Sequence, residues 1–177
     1  MKFKELALPG AYLIEAELLE DERGFFARSF CVNEFKSQGL NPQLEQCNIS
    51  YNKAKGTLRG MHYQIEEKSE AKLVRCTMGA IYDVLIDLRP KSPTFKQWIA
   101  LELSAINRHM LYIPEGFAHG FQTLADSTEV FYQMSNSFSP SHARGIRWND
   151  PVFEIIWPQP QPQVISLKDQ QYQNFYA

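Results

Sequence analysis

Short apolar stretches, bounded by turn residues, recur along the whole chain. The clearest pair covers residues 72–78 and 81–88 with Gly79-Ala80 between them, which predicts two strands joined as a β-hairpin. Within 81–88, alternate residues fall on two faces with the period of two that is typical of a strand. Further strands are predicted over residues 12–18, 25–30, 98–103, 109–113, 121–124 and 129–134.

Helical periodicity is weak in this chain. Residues 32–38, followed by Gly39, predict one short helix, and residues 167–174 predict a second. Many short strands at roughly ten-residue spacing favour a β-sandwich or a β-barrel. No internal repeat, low-complexity tract or linker interrupts the pattern, so we expect residues 1–177 to form a single domain.

Composition indicates a folded protein and excludes several classes of partner. Of the 177 residues 44% are hydrophobic, and the net charge is -2. That near balance argues against a general nucleic-acid or anionic-membrane binder, which would carry a basic excess. The three cysteines, Cys31, Cys47 and Cys76, form no CxxC pair and indicate reduced thiols. Because neither a signal peptide nor a membrane span is recognisable, we expect a cytoplasmic protein.

Two segments place a histidine beside glycines. In Leu58-Arg59-Gly60-Met61-His62-Tyr63-Gln64, the arginine and the histidine are three residues apart and would face opposite sides of a regular strand. A bend at Gly60 would be needed for both to enter one cleft. The second segment, from Ile113 to Phe121, contains Pro114-x-Gly116-x-x-His119, which resembles the second half of a cupin motif.

The histidines do not form a metal-ligand set. A metal-binding cupin would normally supply a His-x-His pair and a glutamate, whereas this chain has His62-Tyr63-Gln64 at the corresponding place. The chain has four histidines, and His109 and His142 lie in no such motif. The sequence therefore predicts a site without metal.

A histidine without metal can act as a base near neutral pH if a carboxylate fixes its tautomer. Four aspartates are candidates for that carboxylate, and sequence distance does not choose between them because barrel strands bring remote segments together. They are Asp83, Asp87, Asp150 and Asp169.

Tyr132 and Lys72 have ordinary interpretations when each is taken alone. Tyr132 shares a strand face with Val130 and Met134, which is typical of a core tyrosine. Lys72 opens the strand 72–78 and would be a charge capping its edge.

Taken in order, these segments resemble the dTDP-4-dehydrorhamnose 3,5-epimerase family over nearly the whole chain. The resemblance rests on the order and spacing of several motifs rather than on one of them. They are Asp21-Glu22-Arg23-Gly24-Phe25-Phe26, Gln46-Cys47-Asn48-Ile49-Ser50, residues 58–64, Lys72-Leu73-Val74-Arg75, Ser92-Pro93-Thr94-Phe95, residues 113–121, Trp148-Asn149-Asp150, Trp157-Pro158 and Leu167-Lys168-Asp169.

The resemblance implies an all-β fold, a cupin-type double-stranded β-helix (jelly-roll barrel) with a few short peripheral helices. It also implies a homodimer without metal or organic cofactor, acting on a dTDP-4-keto-6-deoxyhexose at C3 and C5. His62 corresponds to the general base, Asp169 to the carboxylate that orients it, and Tyr132 to the acid on the opposite face. Lys72 falls where the family holds the oxygen that turns from ketone to enolate.

Further positions correspond to the family's substrate contacts. At Cys47 a main-chain contact would serve, and Phe138 would offer the nucleotide base a ring face. The substrate-binding positions are Arg23, Gln46, Cys47, Asn48, Arg59, Lys72, His119, Phe138 and Lys168.

Three other functions remain open on the sequence. The family often has carboxylates where this chain has Arg28 and Ala143, so a mono-epimerase at C3 or C5, or an enzyme for another nucleotide-linked keto sugar, is the first. A catalytically inactive cupin that binds a nucleotide sugar is the second, which loss of any of His62, Asp169 and Tyr132 would favour. A metal cupin is the third, disfavoured by the incomplete ligand set.

Overall fold

The structure is a computed structural model that describes residues 1–175. Neither helix of this part is long and apolar enough to cross a membrane. The strands are β1 (Lys2–Glu5), β2 (Tyr12–Glu15), β3 (Leu19–Asp21), β4 (Gly24–Phe26), β5 (Gln46–Asn52), β6 (Thr57–Gln64), β7 (Lys72–Met78), β8 (Ala80–Asp87), β9 (Trp98–Ser104), β10 (Met110–Ile113), β11 (Phe117–Thr123), β12 (Thr128–Met134), β13 (Ala143–Gly145) and β14 (Val164–Ile165). The helices are α1 (Val32–Ser37) and α2 (Leu167–Gln170).

Two six-stranded sheets pack face to face and form a jelly roll. Sheet 1 has the strand order β1-β2-β10-β7-β12-β5, and sheet 2 the order β13-β6-β11-β8-β9, with β14 added parallel to β6. The strands β3 and β4 form a separate hairpin. Apolar side chains from both sheets, among them Val74, Leu85, Leu111 and Phe121, form one buried cluster between them. The predicted all-β jelly roll is confirmed.

The predicted hairpin of residues 72–78 and 81–88 is wrong, although both strands exist. β7 pairs with β10 and β12 in sheet 1, whereas β8 pairs with β9 and β11 in sheet 2. The chain therefore crosses between the sheets at Gly79, whose φ of 75° suits glycine and where a Cβ would collide with Thr128. A glycine turn between two apolar strands fits a hairpin and a crossover equally well, so the local pattern could not distinguish them.

Part of the outer face of each sheet is also buried. On the outer face of sheet 2, Val84 and Ile86 pack against Ile146, Phe153 and Trp157 from the C-terminal third of the chain. On the outer face of sheet 1, Phe35 of α1 packs with Ile14, Leu73 and Tyr112. This burial on both sides explains why both faces of β8 carry buried apolar residues, Val84 and Ile86 on one and Ile81 and Leu85 on the other.

The predicted bounds are least accurate where strands meet the cavity or the surface. The strands β2 and β4 end earlier than predicted, β11 begins earlier at Phe117, and α2 ends at Gln170. The strands β5 and β6 were not predicted, because polar side chains such as Asn48 and His62 interrupt the alternation of apolar residues. Four shorter strands, β1, β3, β13 and β14, were also missed.

A buried carboxylate stabilises the loop between β8 and β9. Asp87 is fully buried and accepts hydrogen bonds from the Arg89 guanidinium at 2.9 and 2.7 Å, and from the hydroxyls of Ser92 and Thr94. Burial alone would raise the pKa of Asp87, but these donors outweigh it and lower the pKa to about 2. Arg89 also donates to the carbonyl of Pro9 at 2.9 Å, which ties the loop to the N-terminal strands.

We expect Asp87→Asn to lower the free energy of unfolding by roughly 2–3 kcal/mol, because charge-assisted hydrogen bonds are lost. A folded-state pKa below the ordinary 3.8 contributes stability that is present above pH 4 and lost as pH falls towards 2. The difference between wild type and variant should therefore shrink across that window in urea titrations. Glu66→Gln, at an exposed carboxylate, is the control and should change little. An equally stable Asp87→Asn would contradict this role.

Candidate active site

One polar cavity of about 530 Å³ opens between the inner faces of the two sheets. Its volume lies in the range of small-molecule sites. Strands β5, β7 and β12 of sheet 1 and β6 and β11 of sheet 2 contribute to its walls. Of the residues that the sequence proposed for the site, the cavity is lined by Gln46, Asn48, Arg59, His62, Lys72, His119, Tyr132, Phe138 and Lys168.

A bulge in β6 brings Arg59 and His62 to the same cavity. The register of β6 on β11 shifts by one residue between them. Gly60 at the bulge has a φ of 139°, and a Cβ there would lie 2.5 Å from the Cα of Gly120 on β11. The predicted bend at Gly60 is confirmed, and its cause is the close approach of two glycine backbones.

His62 is hydrogen-bonded to Asp169 of α2, with 2.7 Å between Nε2 and Oδ1. The Asp169 side chain is 6% exposed and the imidazole 42%, so only the imidazole is open to a ligand. Burial alone would raise the pKa of Asp169, but the hydrogen bond and charge of His62, with the Gly60 N–H, hold it below its ordinary value. The ionised carboxylate accepts the Nε2 proton and leaves Nδ1 as the basic nitrogen of the neutral ring.

Of the four candidate aspartates, the structure thus pairs Asp169 with His62. Asp83 is hydrogen-bonded to His119, and Asp87 lies in the loop network described above. Asp150 accepts backbone N–H groups of the C-terminal segment, including that of Val152 at 2.9 Å.

A second histidine–aspartate pair lies beside the first. His119 on β11 is the cross-strand neighbour of His62, and its Nε2 is 2.5 Å from Oδ1 of fully buried Asp83. The His119 side chain is 11% exposed, so its hydrogen bond fixes the ring at the wall of the cavity. His119 therefore presents one defined ring edge to a ligand.

Tyr132 faces the cavity from the opposite sheet. It lies on β12 between Val130 and Met134, which are buried as the alternation predicted. The interpretation as a plain core tyrosine is incomplete, since Tyr132 also lines the cavity. Burial raises the pKa of the Tyr132 hydroxyl, and the charge of Arg59 offsets only part of that effect. The hydroxyl therefore keeps its proton at neutral pH and can donate it.

Lys72 is not an edge charge, because β7 is a central strand of sheet 1. Its side chain is 10% exposed and lies in the cavity wall. The Nζ is 2.9 Å from Oε1 of Glu70, which is itself buried. This is a buried ion pair inside the candidate site.

The cavity carries more positive than negative charge. Arg59, Lys72, Arg144 and Lys168 line it, and within residues 1–175 only Lys72 among these four has a carboxylate partner. The guanidinium of Arg59 donates to the amide oxygen of Asn52 at 2.7 Å, and that of Arg144 donates to main-chain carbonyls. Such an excess of cations fits an anionic ligand.

Two of the expected substrate contacts lie outside the cavity lining. Arg23 is on the turn of the β3–β4 hairpin, its side chain is 83% exposed, and it pairs with Asp21. Cys47 is exposed because Gln46 and Asn48, its neighbours on β5, point into the cavity and leave its side chain on the other face.

The residues of this cavity that were not predicted from the sequence include Glu70, Arg144 and Tyr172. Glu70 could have been found, because it stands two residues before Lys72 on an extended segment. Arg144 and Tyr172 come from the C-terminal third and carry no local signal. The Tyr172 ring lies edge-to-face against His62, with 5.8 Å between ring centroids, and occupies the space that a side chain at Gly145 would need.

Among the described residues, no group of three or more His, Cys, Asp and Glu side chains is arranged to hold a metal ion. His62 and His119 are each committed through one nitrogen to a carboxylate. The cavity's chemistry thus consists of acid–base groups and cations.

Comparison with known proteins gives consistent results. The family model described as dTDP-4-dehydrorhamnose 3,5-epimerase matches residues 5–176. The enzyme of that name from Pseudomonas aeruginosa is 43% identical over 176 residues, which cover 99% of this chain and 96% of that protein.

Solved structures are similar over the same length. The crystal structure of dTDP-4-dehydrorhamnose 3,5-epimerase from Bacillus anthracis, with TDP and PPi bound, has a TM-score of 0.95 and 41% identity, covering 98% of this chain and 99% of that one. The Legionella pneumophila dTDP-6-deoxy-D-glucose-3,5-epimerase, in complex with dTDP-4-keto-L-rhamnose, has a TM-score of 0.91 and 34% identity, covering 98% and 92%. With its jelly roll, its cationic cavity and a family match over almost its entire length, the chain belongs to the dTDP-4-dehydrorhamnose 3,5-epimerase family.

Proposed function

We propose that this protein epimerises a dTDP-4-keto-6-deoxyhexose at C3 and C5, a step of dTDP-L-rhamnose-type deoxysugar biosynthesis. The observation that carries the proposal is the placement of a base and an acid on facing walls of one cavity. His62, supported by Asp169, lies on sheet 2, and Tyr132 lies on sheet 1. Relatives that carry this activity in their names share 34–43% of their residues with the chain.

The geometry fits proton removal and return on opposite faces of a sugar carbon. A hydrogen beside a ketone becomes acidic only when the developing enolate oxygen is stabilised, and the Lys72 ammonium is the preorganised donor for that oxygen. His62 takes the proton through Nδ1, and Asp169 stabilises the imidazolium that forms. Tyr132 then delivers a proton from the opposite sheet, which inverts the stereocentre.

The cations without carboxylate partners account for recognition of the nucleotide diphosphate. Arginine presents a planar fork of N–H donors that suits phosphate oxygens. Arg59 and Lys168 line the cavity, which supports this role for them. Phe138 at the cavity is 52% exposed and offers a ring face for the nucleotide base. Its backbone N–H donates to the side chain of Gln46 at 3.0 Å, which joins two of the proposed contacts.

The competing functions differ from this proposal in testable ways. An inactive binding protein is disfavoured because His62, Asp169 and Tyr132 are all present at the cavity or directly behind it. A metal cupin is disfavoured by the chemistry of the donors, since both cavity histidines are bound to aspartates. A mono-epimerase would use the same three residues and is separated by isotope labelling below.

We expect His62→Ala to fold and bind dTDP but to lose about 10²–10⁴-fold in turnover, because the base is absent. Asp169→Asn should lower kcat with little change in dTDP affinity, since an amide can favour the wrong tautomer. Steady-state kinetics and calorimetry with dTDP separate the two effects. A wild-type kcat in His62→Ala would show that His62 is not the base. A wild-type kcat in Asp169→Asn would show that the carboxylate of Asp169 is dispensable.

We expect wild-type enzyme in deuterated water to place deuterium at both C3 and C5 of the product, as mass spectrometry would show. A label at one carbon would identify a mono-epimerase.

In Tyr132→Phe the base is intact, so exchange of deuterium into the sugar should continue. Net inversion should fall, because the proton donor on the opposite face is gone. Inversion at the wild-type rate in this variant would return Tyr132 to a structural role.

We also propose a homodimer, as the resemblance implies, and assign its interface to the outer face of β5 and β12. β5 is the edge strand of sheet 1, and its Ile49 and Tyr51, which also border the cavity, are 66% and 47% exposed. Phe131 lies next to Ile49 in register, with the Arg75 guanidinium above its ring. The Arg75 Nε is buried without a hydrogen-bond partner among residues 1–175. A second copy would cover this edge and its apolar face.

A dimer also offers a role for Arg23, which lies outside the cavity lining of its own chain. The β3–β4 hairpin exposes Phe26 at 72% and Leu19 at 66% beside this arginine. In a dimer the hairpin could serve the cavity of the second copy, so that Arg23 would reach the substrate from there.

We expect the wild type to have the mass of a dimer in solution and Ile49→Asp to be monomeric, because a charge on the proposed interface opposes its burial. Ile106→Asp makes the same substitution at a side chain that is 86% exposed on the β9–β10 turn, and should remain dimeric. Light scattering after size-exclusion chromatography measures both. A dimeric Ile49→Asp would place the interface elsewhere, and a fully active monomeric wild type would exclude the dimer.

A further inference from the structure

Glu70 is a buried carboxylate in the cavity wall that the mechanism above does not use. It precedes β7 by two residues, and residues two apart in an extended segment point to the same side. Its side chain therefore lies beside Lys72, with 2.9 Å between Oε1 and Nζ. Ala71, between them, packs on the other side in the cluster under α1.

Stability alone does not explain this ion pair. The Glu70 and Lys72 side chains are 3% and 10% exposed, so both charges have lost most of their hydration. Desolvating two charges costs several kcal/mol, and apolar residues of similar volume often replace such pairs without loss of stability. The other carboxylate oxygen of Glu70 is buried without a hydrogen-bond partner among the described residues, which adds to the cost.

The position of the pair indicates what it does. A lysine ammonium sits on a flexible four-carbon stem and can take many positions. A fixed carboxylate beside it limits its movement by charge attraction. The Lys72 ammonium carries three N–H donors, and among the described residues Glu70 is its one carboxylate partner.

We propose that Glu70 is a positioning residue for the epimerisation, which holds the Lys72 ammonium aimed at the oxygen that becomes the enolate. The proposal rests on the proposed function, because it assigns Lys72 to that oxygen. Glu70 acts through Lys72 rather than on the sugar, since its unpaired oxygen is closed off from the cavity. A donor that is held in place before reaction needs no reorganisation when the charge develops.

The same geometry separates Glu70 from the acid–base groups. His62 and Tyr132 face each other across the cavity with ring atoms open to it. The carboxylate of Glu70 is committed to a cation and is almost fully buried. Its removal should therefore affect the rate of proton abstraction and leave nucleotide binding unchanged.

The test compares Glu70→Ala, Glu70→Gln, Lys72→Met and the double variant Glu70→Ala/Lys72→Met. Removal of one enolate donor costs about 10²–10³-fold in kcat, which is the loss expected for Lys72→Met. Glu70→Ala should lose about 10–100-fold in kcat, as a partial loss of the same donor, with KM and the Kd for dTDP within about twofold of wild type. Glu70→Gln should lose nearly as much as Glu70→Ala, because the amide keeps the length of the side chain but not the charge that holds the Lys72 ammonium. The double variant should be no slower than Lys72→Met, since Glu70 acts only through Lys72.

Several outcomes would overturn the inference. One is wild-type kcat in Glu70→Ala, and another is a double variant whose loss is the product of the two single losses. If Glu70→Ala fails to fold by circular dichroism, Glu70→Asp replaces it: the charge is kept but withdrawn by one methylene, so kcat should still fall while dTDP binding holds. An unchanged kcat in Glu70→Asp would then exclude a positioning role. A wild-type enzyme that neither inverts the keto sugar nor exchanges its C–H protons would instead overturn the proposed function, and the role of Glu70 with it.

Discussion

The close approach of β6 and β11 at Gly60 and Gly120 is the constraint on which the rest of the site depends. Two backbones meet where a Cβ on Gly60 would lie 2.5 Å from the Cα of Gly120, and this contact accommodates the extra residue of the bulge. Without the bulge, Arg59 and His62 would face opposite sides of sheet 2. With it, Arg59 and His62 share one cavity, and the backbone N–H of Gly60 donates to Asp169, the hydrogen-bond partner of His62.

Carboxylates that lose water in this fold are each matched by donors. Asp169 is matched by His62, Asp83 by His119, Glu70 by Lys72 and Asp87 by Arg89. Burying a carboxylate without a partner would cost too much free energy. In each of these pairs, the carboxylate therefore fixes the position of its partner. Three of the four pairs place a histidine or a lysine at the cavity. The buried pairs at the cavity therefore orient its histidines and its lysine.

Family membership and local geometry account for different parts of the site. The shared fold and motifs account for His62 and Tyr132 on facing sheets and for the cations that line the cavity. The contacts of Glu70, Arg144 and Tyr172 are read from this chain's own packing. Tyr172 limits the space around the His62 ring. Its own ring fits there because residue 145 is a glycine, whose missing side chain leaves the space free. Such contacts are where the substrate preference and rate of this protein can differ from those of its relatives.

The sequence by itself determined the features that depend on local pattern: strands with a period of two, a bend at Gly60, histidines too few and too scattered for a metal set, and the ordered motifs of one family. Only the tertiary structure decided which sheet β7 and β8 join, which of four aspartates supports His62, that Lys72 is buried beside Glu70, and that Arg23 lies outside its own cavity. The physical reason is that the alternation of residues along a strand shows which face of the sheet each side chain occupies. It does not show which other strands pair with that strand. Long-range pairing is set by backbone hydrogen bonds and by the packing of remote apolar faces, so the partners of a buried charge are known only once the two sheets have closed.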